Sequence, residues 1–127
     1  MQFKITTEPD FLRVTLSGRL TKEDVLVLGK AVYEVEQASP RVPNRLTDVS
    51  RVDVYDITGA AIQGFARNRR EMRYRNPFFN AIFAPLPVQY GYGRMFQTFL
   101  DHPDITTCIF TDEAAAVAWL KEHAAKA

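Results

Sequence analysis

Apolar and polar residues alternate at the start of the chain. Phe3 and Ile5 mark one face of a strand over Gln2–Thr7. Glu8-Pro9-Asp10 is turn chemistry. Leu12, Val14 and Leu16 then alternate with Arg13 and Thr15 in a second strand, Phe11–Leu16, so the two read as a hairpin. Ser17-Gly18 breaks the alternation, and the period changes. Val25, Leu28, Val32 and Val35 recur at helical spacing after a Thr21 N-cap, with Glu23 and Asp24 in the first turn where the helix dipole favours acids. This helix runs to about Ala38 and stops at Ser39-Pro40. A short strand at Arg45–Val49, a loop from Ser50 to Tyr55, and a helix opening at Thr58-Gly59 follow. Ile62, Phe65, Ala66 and Met72 lie on one side of that helix, and Asn76-Pro77 stops it.

Phe78 to Ala84 is a nearly continuous apolar run, the mark of a strand covered on both faces. A third helix covers about Val88–Leu100, with Tyr92, Met95, Phe96 and Phe99 as its apolar stripe. Asp101-His102-Pro103 closes it. Ile105–Phe110 reads as a final strand. Thr111 caps a last helix from Asp112 to about Ala124, with acids in its first turn and Lys121 near its end. The order β-β-α-β-α-β-α-β-α implies an α/β fold. Its mixed sheet has an antiparallel N-terminal edge and is otherwise parallel. Val14, Leu46, Ile82 and Ile109 are expected in its core.

Composition narrows the picture. The 127 residues suit one domain, 1–127, and 46% apolar content can build its core without a disulfide or structural metal. A formal net charge of +1 does not suit a general nucleic-acid binder. The lone Cys108 fits a reducing compartment, and it reads as a small buried hydrophobe in a central strand. The chain start is unlike a signal peptide, and no apolar run approaches a membrane span. The expectation is a soluble cytoplasmic protein without integral membrane association. Its 12% aromatic content is compatible with a homodimer.

Enzyme chemistry finds little support. Ser17, Ser39 and Ser50 lack a nucleophile-elbow context. His102 and His123 have no partner at metal-ligand spacing. Neither a catalytic residue, a metal site nor a cofactor is expected. The segment Tyr90-Gly91-Tyr92-Gly93-Arg94 lacks the Lys-Ser/Thr of a phosphate loop, and its glycines suit close packing at a helix start.

Asp48-Val49-Ser50, followed by Asp56-Ile57-Thr58-Gly59 at a helix start, resembles the signature of STAS domains, the fold of bacterial anti-sigma factor antagonists and of anion-transporter tails. Ile57 stands where that signature has a Ser. Ala84–Phe96 and Phe110–Leu120 resemble a bacterial STAS-like subfamily, mostly of unknown function. It is described as similar to the sporulation anti-anti-sigma factor or to lipid-binding CRAL-TRIO domains. The resemblance implies a STAS-like fold and a non-catalytic regulatory module. Its partner would be a protein, such as an anti-sigma factor or a switch kinase. Asp56, Ile57, Thr58 and Gly59 would form the contact surface, with Thr58 as phospho-acceptor.

Each candidate has a plainer alternative. Thr58 also serves as an ordinary N-cap. Arg67, Arg70 and Arg73 are spaced to form a basic ridge for an anion, or a solvated helix face near the negative end of the dipole. The alternative function is a small-ligand or lipid carrier. Its apolar cleft would be floored by Phe79, Ile82 and Phe83 and gated by Tyr90 and Tyr92.

Overall fold

A computed structural model of the chain describes residues 1–124. The elements are β1 (Gln2–Thr7), β2 (Leu12–Thr21), α1 (Lys22–Ala38), β3 (Arg45–Asp56), α2 (Gly59–Glu71), β4 (Phe78–Phe83), α3 (Pro87–Leu100), β5 (Ile105–Phe110) and α4 (Glu113–Glu122). They form a five-stranded sheet in the order β1-β2-β3-β4-β5. β1 runs antiparallel to β2, and the other pairs are parallel.

Each parallel connection steps the chain one strand further in the same direction. Crossovers of one hand then put all their helices on one face of the sheet. Accordingly α1, α2 and α3 cover one face, where Leu12, Val14, Leu16, Val32 and Ile62 share a core cluster. The C-terminal α4 covers the other face, with Leu46, Ala81, Ala116 and Leu120 buried beneath it. Strand alternation divides the side chains between these faces. Val14 and Ile82 lie on the three-helix side, and Leu46 lies under α4. Val14, Leu46 and Ile82 are buried, and Ile109 is half-buried.

Several boundaries move. β2 does not end at Ser17-Gly18. It continues to Thr21 through two register shifts against β3, with Gly18 at φ 85°. A glycine absorbs such a bulge because its backbone visits positive φ at little cost. The expected loop at Ser50–Tyr55 is strand instead, since β3 follows β2 as far as Asp56. β3 pairs with β4 only over Arg45–Asp48, so its second half forms a two-stranded arm with β2. α2 ends at Glu71 rather than at Asn76. Asp112, not Thr111, caps α4. Cys108 lies in an edge strand, half-buried, rather than in the sheet centre.

Candidate functional site

The apolar stripe of α1 carries one charged residue, Glu36, which is fully buried. Two guanidinium groups reach it. Arg69 of α2 donates to both carboxylate oxygens, at 3.0 and 2.9 Å. Arg45, at the start of β3, donates through Nη1 at 3.0 Å. Such a bidentate pairing is the strongest form of a carboxylate–guanidinium contact. Burial pushes the Glu36 pKa up, but the charges of Arg45 and Arg69 and their hydrogen bonds outweigh it and hold the carboxyl below its ordinary range. Burial lowers the Arg45 pKa, and the like charge of Arg69 adds to this. The guanidinium nevertheless stays charged. Arg45 also lies over the Phe78 ring and Arg69 over Tyr74, at 5.4 Å each.

Arg45 and Arg69 of this ion network form one end of a partly open cavity of about 140 Å³ between the sheet and the three helices. The rest of the lining is almost wholly apolar. It runs along the sheet past Val14, Val32 and Phe65 to Leu20, Val25 and Tyr55 at the far end. At the charged end Asn80 of β4 stands beside Arg45 in register and accepts a hydrogen bond from Thr47 Oγ1 at 2.9 Å. Gln89 of α3 also lines the cavity. Its Nε2 donates to the carbonyls of Ser50 and Val52, and its Oε1 accepts from Leu86 N.

At the apolar end the cavity meets the loop between β3 and α2. The Tyr55 and Tyr92 rings stack at 4.3 Å with an interplanar angle of 11°. Burial, with Tyr92 beside it, pushes the Tyr55 phenol up to about 12. Tyr92 Oη donates to the Ile57 carbonyl at 3.2 Å, so the loop is tied to the cavity wall. Asp56 is exposed and paired with Arg19. Ile57 is buried. Thr58 is exposed, and its Oγ1 caps α2 by accepting from Ala61 N at 3.1 Å. Gly59 is exposed at the first position of α2, next to Met95. Thus Asp56, Thr58 and Gly59 do form one exposed surface, while Ile57 points inward.

The other expected residues are scattered. Arg67 and Arg70 are exposed on α2, but Arg73 lies beyond the helix end, so the three form no continuous helical ridge. The arginine that turns inward is Arg69. Ile82 and Tyr92 line the cavity, whereas Phe79 and Phe83 lie on the opposite face of the sheet under α4. Residues 79 and 83 cannot share a face with residue 82 in a strand of period two. Phe79 packs edge-on against Trp119, with ring centroids 5.5 Å apart. Tyr90 is exposed at the start of α3 and does not line the cavity.

Pattern reading misses the lining residues Arg45, Asn80 and Gln89, and Glu36, which stands behind Arg45 and Arg69. Two of them left a signal. Glu36 falls four residues after Val32, inside an apolar helical stripe, and Asn80 interrupts the apolar run Phe78–Ala84. Among the described residues no group of three or more His, Cys, Asp or Glu could hold a metal ion, and no helix is long and apolar enough to cross a membrane.

No family model matches the sequence. No curated protein matches it either. Among solved structures, the chain is similar to an uncharacterized protein of the DUF3478 family from Shewanella loihica PV-4, which has a SpoIIAA-like fold. The identity is 17%, the TM-score is 0.61, and the match covers 94% of this chain and 92% of that one. The fold of this chain is therefore SpoIIAA-like, the STAS type, as the Asp48–Gly59 segment led one to expect.

Proposed function

We propose that this SpoIIAA-like domain is a non-catalytic binding module that holds a small apolar ligand inside the fold. The observation that carries the reading is the cavity of about 140 Å³ between the sheet and α1–α3. Protein interiors pack to near-crystalline density, so space of this size lined by aliphatic and aromatic side chains is a natural ligand site. An engineered apolar cavity of about 150 Å³ takes up benzene, which sets the scale for the occupant. Native mass spectrometry of the purified protein, with a thermal-shift screen of small alcohols and aromatics, tests the reading. A bound small molecule or a concentration-dependent rise in Tm is expected, and Val49→Phe, which fills the cavity, should abolish it. A protein without bound mass and indifferent to the whole panel would refute it.

A second reading is favoured by the exposure of Asp56, Thr58 and Gly59 at the start of α2. This surface suits a protein partner in the cytoplasm, of the anti-sigma factor or switch-kinase kind. A phosphate on Thr58 would meet free helix N–H groups and the positive dipole end, and would add about −1.5 to −2 charge to the contact. The test is the affinity of well-folded Thr58→Asp for a partner captured by the wild type. Weakening of roughly 10- to 100-fold supports a switch, and unchanged affinity leaves Thr58 as a cap only.

A further inference from the structure

Resting on the proposal that the cavity binds a ligand, we infer that its occupant is an ionised monocarboxylate with a short unbranched apolar chain, whose head is held by Arg45 and Asn80. Three observations support this.

The first is charge. Among the described residues Glu36 is the one carboxylate in contact with the two buried guanidinium groups of Arg45 and Arg69, which leaves one positive charge uncompensated there. Buried charges are normally paired, because an unpaired one carries a heavy desolvation cost. A water molecule could accept hydrogen bonds there, but it would not balance the charge. A monoanion would balance it, whereas a dianion would exceed it.

The second is hydrogen bonding. The Arg45 side chain is only 8% exposed and spends one N–H on Glu36. Among the described residues its other N–H groups meet no protein acceptor. Asn80, 2% exposed, uses its Oδ1 for Thr47, and among the described residues its Nδ2 amide meets no protein acceptor. The two side chains are register partners on adjacent strands, and both line the cavity. A guanidinium beside an amide N–H₂ offers several donors to the two oxygens of a carboxylate.

The third is shape. The charged groups and Asn80 gather at one end, and apart from Gln89, whose amide is bonded to the Ser50 and Val52 carbonyls and to Leu86 N, the remainder of the lining extends along the sheet as largely apolar surface toward Tyr55 and Leu20. A polar head with a linear tail matches this layout. The volume keeps the tail short, since an engineered cavity of similar size takes up benzene, a molecule of about six carbons.

The experiment compares octanoate with 1-octanol on the full chain by isothermal titration at neutral pH. Octanoate is expected to bind at least tenfold more tightly. Arg45→Met leaves Glu36 and Arg69 as a balanced pair, and Asn80→Leu leaves the whole ion network in place. Each should shrink the octanoate-to-octanol ratio toward one, and Asn80→Leu carries the test if Arg45→Met does not fold. Octanol binding as tightly as octanoate to the wild type would overturn the anionic head while leaving the cavity reading intact. Binding of neither, together with a blank apolar panel, would overturn both.

Discussion

Glu36 shows how much a single side chain can hold. It joins α1 to β3 through Arg45 and to α2 through Arg69, in a site that none of the three could occupy unpaired. Glu36→Ala leaves two buried guanidinium groups facing each other. Breaking a buried pair in this way costs about 3–5 kcal/mol, which is a large share of a typical domain's stability. Urea unfolding should show a fall of that size in the midpoint-derived free energy. The same carboxyl makes stability depend on pH. Its pKa in the fold lies below the ordinary 4.5, so the unfolded chain takes up the proton first as pH falls. The stabilisation is therefore fully present well above pH 4.5 and is lost as pH drops through that value toward the folded-state pKa. A titration of unfolding free energy from pH 6 to pH 3 should show this slope, and Glu36→Gln should flatten its share of it. At Thr58 the expected loss is smaller. Thr58→Ala removes the bond to Ala61 N and should cost about 0.5–2 kcal/mol, while Thr58→Asp, which also caps, should stay near wild type in thermal melts.

At the scale of elements, strand ends and helix ends are set by partners rather than by local pattern. β2 passes through Ser17-Gly18 because β3 runs alongside it, and Gly18 takes up the irregularity at φ 85°. A β-branched residue is strained there. Gly18→Val should cost about 1–2 kcal/mol or more and should loosen the β2–β3 arm, which hydrogen exchange of Arg51–Asp56 would reveal. α2 stops at Glu71, which frees the following segment to bring Arg75 to the end of α1. There Arg75 donates to the carbonyls of Glu36, Gln37 and Ser39, groups that the helix itself leaves without partners. The helices meet closely at Gly29, where an added Cβ would lie 3.0 Å from the Phe65 ring. A side chain at that position forces the Phe65 ring to give way by a few tenths of an ångström.

Across the whole molecule, the cavity follows from how the three helices rest on one face of a twisted sheet. Their inward residues Val25, Val32, Ile62, Phe65 and Phe96 leave a passage bounded by Gln89 and the ion network. A ligand that binds only the folded chain stabilises it by mass action, by about 2.7 kcal/mol at one hundred times its Kd. For a domain of this size that is a rise in Tm on the order of 10 °C. A thermal melt with octanoate at saturating concentration checks it, and in Val49→Phe the rise should disappear.

The class and order of the elements are legible along the chain, because hydrophobic period, turn residues and caps are local properties. Thr21, Thr58 and the acids Glu23 and Asp24 announced two helix starts, and the Phe78–Ala84 run announced a strand covered on both sides. The Asp48–Gly59 segment pointed to the STAS-like fold. The tertiary structure alone decided which charges face one another. Glu36, Arg45 and Arg69 are separated along the chain, and although Glu36 and Arg69 fall towards the apolar sides of their helices, nothing local says that they meet. Only when α1 and α2 settle on β3 does burial strip their water and force them together. Tertiary structure also decided the cavity, whose walls come from six different elements. Local period can assign a side chain to a face of its own strand, as it separates Ile82 from Phe79 and Phe83. It cannot say what the opposing helices leave unfilled, since that depends on how side chains far apart in sequence pack against each other.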